Sequence, residues 1–104
     1  MTFSSTAEII RARDDRLAAI DARIRLTEEN LRKLQTQLEQ AQRQAVEQER
    51  SGSAALEATH KRIADLQRQV NEHQNFIAKR QQERAALEAR FDADLARFKE
   101  LKGQ

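Results

Sequence analysis

His60 and His73 are the only histidines in 104 residues. They are the side chains best suited to acid–base or metal chemistry near neutral pH. Thirteen positions separate them, so neither belongs to an H-x-x-x-H or H-E-x-x-H pair that sets two ligands on one helix face. Glu57 and His60 share a face at i, i+3, but two ligands fall short of the three that even an open zinc site takes from protein. Cysteine is absent, which removes disulfides, thiolate nucleophiles and zinc–thiolate centres together. Two isolated glycines make no phosphate-cradling loop. Many carboxylates lie within helical reach of one another, but on a solvated face they keep ordinary acidity and do no acid–base work. These residues predict no catalytic group, no metal and no cofactor, and hence a non-enzymatic protein.

The chemistry that remains is recognition. The formal net charge is +2, with signs mixed throughout. Residues 1–50 carry nine basic and nine acidic side chains, and residues 51–104 carry ten and eight. The second half therefore has a basic tendency, and Arg80 and Arg84, one turn apart, form a spot for an acidic partner. Nucleic-acid binding through that side is the competing expectation. Against it, Glu57, Asp65, Glu72, Glu83, Glu88, Asp92, Asp94 and Glu100 interrupt the cations, whereas phosphate binding calls for a contiguous stripe. As much acid as base on the polar faces also argues against a membrane surface. No uncharged run approaches the roughly 20 residues that span a bilayer.

The elements that position these charges are helices. Proline, tryptophan and tyrosine are absent, charged residues make up 35% and aromatics 4%. That is the composition of long helices and coiled coils, with enough apolar side chains for a narrow seam and too few for a wide core. Ser5-Thr6-Ala7-Glu8 matches a capping box, and Lys99 and Lys102 precede Gly103 at the far end. Between them apolar residues recur every seven. In the first half, position a is Phe3, Ile10, Leu17, Ile24, Leu31, Leu38 and Ala45; position d is Thr6, Arg13, Ile20, Thr27, Leu34, Ala41 and Gln48. In the second half, a is Leu56, Ile63, Val70, Ile77, Arg84, Phe91 and Phe98; d is Thr59, Leu66, His73, Arg80, Leu87, Asp94 and Leu101.

The two registers do not join smoothly across Gly52. A continuous helix would absorb a four-residue stutter and an interior glycine, the latter at about 1 kcal/mol relative to alanine. Reversal at Gly52 does better. Residues whose numbers add to 104 then become level, and a meets d in every layer: Leu17 with Leu87, Leu34 with Val70, Leu38 with Leu66, Ala41 with Ile63, Phe3 with Leu101. Ser51-Gly52-Ser53 has matching turn chemistry, with glycine after the first helix and Ser53 as N-cap of the second. The expected fold is all-α, a two-helix antiparallel coiled-coil hairpin in one domain over 1–104. Its helices run over about 5–50 and 54–102 around a turn at 51–53. The alternative is one long continuous helix in an intermolecular coiled coil.

A two-helix hairpin has one seam and no second layer, so the sequence predicts association. The expected partner is a second copy, in a homodimer or four-helix assembly, and/or another protein. The contact is expected at the open end, where Phe3, Ile9, Phe91, Leu95 and Phe98 converge. Polar seam residues interrupt the core, and Asp94 and Arg13, in neighbouring layers, are expected to pair. In architecture such a hairpin resembles export-apparatus stalks and chaperone-like hairpins, on shape and mild basicity alone. The tip has no match to that of transcript-cleavage factors, and three turn residues leave no room for prefoldin strands. These expectations describe a coiled-coil scaffold or adaptor, and the lack of cysteine suits the cytoplasm.

Overall fold

A computed structural model describes residues 5–102. The chain is a helical hairpin: α1 spans Thr6–Ser51 and α2 spans Leu56–Lys102, packed against each other, with no strand among the described residues. Phe3 and Gly103 lie outside the described residues. At the start of α1 the Glu8 amide donates to Ser5 Oγ at 3.2 Å, the N-cap bond that the sequence anticipates.

The reversal is built from backbone chemistry. Gly52 has φ +68°, the left-handed conformation that a side chain resists. The Ser53 amide donates to the Gln48 carbonyl at 2.9 Å, and the Gly52 amide to the Glu49 carbonyl at 3.3 Å. This pair of bonds is the Schellman closure, which satisfies carbonyls that α1 would leave open. The Ala55 amide then donates to Ser53 Oγ at 3.1 Å, capping the helix that follows. α1 therefore ends one residue later than expected, and α2 enters its regular helix at Leu56, two residues after the expected start.

Two compact units divide the chain. In the unit formed by Leu26–Ile77, Leu38 and Ala41 of α1 cluster with Leu66 and Val70 of α2. Leu31, Leu34 and Ile63 pack against this group. The mirrored pairs Leu34/Val70, Leu38/Leu66 and Ala41/Ile63 thus all fall within one core. Nearer the turn, small Ala45 and Thr59 are both buried, and the Thr59 hydroxyl donates to the Ala55 carbonyl at 3.3 Å. Satisfying that hydroxyl locally lets a polar residue occupy the seam at little cost.

The other unit comprises residues 1–25 and 78–104. Here Ile9, Leu17, Ile20, Ile24 and Phe91 are buried. The register departs from the heptad at this end. Ile9 is 1% exposed, while Ile10, the expected seam residue, is 37% exposed. On α2, Leu95 is half-buried and the expected Asp94 is exposed. Leu101, expected opposite Phe3, is 72% exposed. The seam steps Ile9, Arg13, Leu17, Ile20, an eleven-residue spacing. Eleven residues return to the same face of a nearly straight helix, as seven do on a supercoiled one.

Candidate interaction surfaces

Arg84 stands on α2 at a seam position that reflection about Gly52 sets level with Ile20 of α1. A long side chain there can lay its stem along the seam and turn its head out to the flank. Its Nε donates to Asp21 Oδ1 at 2.7 Å, and its Nη2 to Asp21 Oδ2 at 3.3 Å. This is a two-pronged pair between the helices, which fixes geometry as well as charge. The remaining nitrogen, Nη1, donates to Glu88 Oε2 at 2.8 Å, one turn along α2. The hydrogen bond from Arg84 is the main reason that the Asp21 carboxyl is held below the ordinary aspartate value of 3.8, with the charges of Arg84 and Arg25 acting in the same direction against partial desolvation. Reciprocally, Asp21 first and Glu88 second hold Arg84 more firmly protonated.

Arg80, one turn before, is half-buried and lies 3.3 Å from Glu83. Both guanidiniums of the expected acidic-partner spot therefore face carboxylates of their own chain. Arg13 occupies the equivalent seam position on α1. It reaches Asp14 at 3.1 Å and Asp92 of α2 at 3.7 Å. The expected partner was Asp94, and the displaced register explains the change. With Leu95 turned into the seam, Asp94 moves out to one flank while Asp92 stands on the other, beside Arg13.

The residues of the expected apolar contact separate into two groups. Ile9 and Phe91 lie inside the unit, at 1% and 4% exposure. Leu95 and Phe98 are half-buried at its edge. The Arg16 guanidinium lies 5.7 Å from the centroid of the Phe91 ring, and the Lys102 ammonium 5.7 Å from that of Phe98. Each cation shields an aromatic face from water and is attracted to it. The large apolar side chains that stand in solvent are Ile10, Leu26, Val46, Phe76 and Leu101. Leu26, Val46 and Phe76 fall outside both heptad rows, and heptad reading passes over Asp21 altogether. The missed signal was the mirror relation itself: Asp21 stands one residue from level with Arg84.

His73 Nδ1 lies 2.9 Å from the Gln69 carbonyl one turn back. The carbonyl can only accept, so this nitrogen carries the proton and is engaged within its own helix. Among the described residues no group of three or more His, Cys, Asp or Glu side chains is placed to hold a metal ion. No described helix is long and apolar enough to cross a membrane. An open depression lined by Arg32, Lys33, Thr36 and Gln37 lies on two adjacent turns of α1. Residues from a single helix cannot enclose a small ligand as a pocket between elements does. No family model, curated protein or solved structure matches this chain.

Proposed function

We propose that this chain is a non-enzymatic coiled-coil module that associates with copies of itself and acts as a scaffold or adaptor, in a reducing compartment such as the cytoplasm. One observation carries it. Each unit has a single seam, and five large apolar side chains, Ile10, Leu26, Val46, Phe76 and Leu101, remain in solvent outside that seam. Leu26 and Leu101 keep 61% and 72% of their surface exposed. A small domain with one layer of burial gains most by covering such surface with a second layer. The half-buried Leu95 and Phe98 would become fully covered by the same association.

Sedimentation equilibrium over a wide concentration range tests this proposal. The weight-average mass should rise above the 12.0 kDa of one chain as concentration increases. A mass that stays at one chain up to millimolar protein refutes self-association.

A second reading, an acidic or nucleic-acid partner on the basic side of α2, draws on different residues. Among the described residues, Arg62, Lys79, Arg90 and Arg97 have no carboxylate within ion-pair distance. A nucleic-acid partner would bind the chain at low salt and be released steeply as salt rises, because phosphate contacts displace counterions. No change in fluorescence anisotropy of labelled single- or double-stranded oligonucleotides at low salt removes the nucleic-acid form of this reading.

A further inference from the structure

The flanks of the unit formed by residues 1–25 and 78–104 carry two matching rows. On α1, Ile10, Asp14 and Asp21 stand at i, i+4 and i+11. Eleven residues make three turns, so the three share one face. On α2, Leu101, Arg97 and Arg90 stand at the same offsets, counted in the opposite chain direction. The first row reads apolar, acid, acid, and the second reads apolar, base, base.

The rows lie on opposite sides of the seam. Asp21 marks one side, where it meets Arg84 together with Glu88. Arg90 is two residues beyond Glu88, and side chains two apart on a helix point in nearly opposite directions. Both rows reach solvent, with Asp21 half-buried beside Arg84 and Asp14 already accepting from Arg13. Leu101 is 72% and Ile10 37% exposed, and the Asp14 side chain is 60% exposed. Arg90 and Arg97 are exposed, and neither has a carboxylate within ion-pair distance among the described residues.

We propose that the row Ile10, Asp14, Asp21 of one copy packs antiparallel against the row Leu101, Arg97, Arg90 of a second copy. Ile10 then meets Leu101, Asp14 meets Arg97 and Asp21 meets Arg90. The proposal rests on the self-association reading above and names its surface. Spacing carries it, because steps of four and seven in both rows bring all three pairs into register at once. Asp21 can serve two arginines, since a carboxylate offers about four acceptor sites and Arg84 occupies two. Arg25, one turn beyond Asp21, ends the acidic row and disfavours a longer overlap. Asp94, between Arg90 and Arg97, interrupts the basic row and disfavours a phosphate backbone in its place. Because each copy carries both rows on different flanks, the contact is heterologous and repeats.

The test uses the full chain at low salt, with mass read by sedimentation equilibrium and helicity by circular dichroism. Arg90→Glu with Arg97→Glu reverses the basic row, and Ile10→Lys with Asp14→Lys reverses the acidic one. Each double variant is expected to weaken association by about tenfold or more while staying helical. Mixed together, the two variants should associate again, because each retains one intact row. Should a reversal cost helicity, Arg90→Gln with Arg97→Gln removes the charge without adding a carboxylate, and the same weakening is expected. A variant with the basic row reversed that associates as strongly as wild type overturns this surface and leaves self-association standing. A mixture that stays monomeric overturns the pairing of the rows. Wild-type protein that is monomeric throughout removes both proposals.

Discussion

Arg84 and Asp21 are 63 positions apart in the chain and 2.7 Å apart in space. Three contacts between the helices of the unit formed by residues 1–25 and 78–104 agree on one alignment: Arg84 with Asp21, Arg13 with Asp92, and Arg16 over Phe91. Each lies within a turn of the layers found by reflecting the chain about Gly52. Arg84 and Arg13 are half-buried, so leaving either guanidinium unpaired would cost part of its hydration without return. The contacts therefore specify which residues of α2 lie beside which residues of α1, in addition to whatever stability they add.

The Asp21 carboxyl titrates below its ordinary value because Arg84 donates to its charged form. The sign of the linkage follows. A depressed folded-state value adds stability above the unfolded value, and that stability is lost as pH falls through the folded value. Thermal melts should show no contribution from this pair to pH dependence between neutral pH and about 5, and a loss as pH drops below the ordinary value of 3.8. Asp21→Asn should lower the melting temperature at neutral pH and flatten the wild-type decline in acid. Equal acid slopes in wild type and Asp21→Asn would show that the pair does not couple folding to pH. Asp65 is also depressed, chiefly by its hydrogen bond from Arg68, but that partner is on its own helix and does not report on pairing.

Leu66 is 5% exposed and Val70 4% exposed, in the one cluster that joins both helices of the unit formed by Leu26–Ile77. Leu66→Ala should destabilise the fold by about 2–4 kcal/mol, the sum of lost burial and a cavity that two helices only partly close. Exposed Lys61 is the control, and Lys61→Ala should change urea stability by less than about 0.5 kcal/mol. Equal effects of the two substitutions would contradict the assigned seam.

At the tip, space and conformation make separable predictions. A Cβ added at Gly52 would meet nothing within 4 Å, yet φ there is +68°. Gly52→Ala should therefore cost about 1–2 kcal/mol through backbone strain alone. Gly52→Asn should cost less, because asparagine tolerates the left-handed region. A neutral or stabilising Gly52→Ala in urea denaturation would argue for an open, continuous helix through the tip.

The hairpin was legible because three kinds of signal agree. Heptads on each side, glycine with serine at the midpoint, and the mirror pairing of a with d all point to one reversal. Leu38 with Leu66 and Ala41 with Ile63 were readable for that reason. The open end was not, since Ile9 and Ile10 are adjacent and chemically identical, so a strict seven-residue step selects the wrong one. A polar Asp94 at an expected seam position, with apolar Leu95 beside it and Ile9 level with Leu95, contained the correct register. What hid it is physical: near its end a helix pair can relax from supercoiled to straight, and eleven-residue spacing then competes with seven. Asp21 was hidden for a related reason, because a seam arginine is free to choose between flanks and periodicity does not say which carboxylate it reaches.

Pairing of α1 with α2 within one molecule is the premise of every contact above, and a distance measurement tests it most directly. Ala22 and Gln82 are exposed on the outer faces of the two helices, and the chain has no cysteine to compete for labels. With both converted to cysteine, spin-labelled and diluted into unlabelled protein, the intramolecular separation should be about 30 Å or less, given helix axes about 10 Å apart plus two side-chain and label lengths. A separation of about 90 Å, the length of 60 residues of unbroken helix, would contradict the hairpin and every contact built on it.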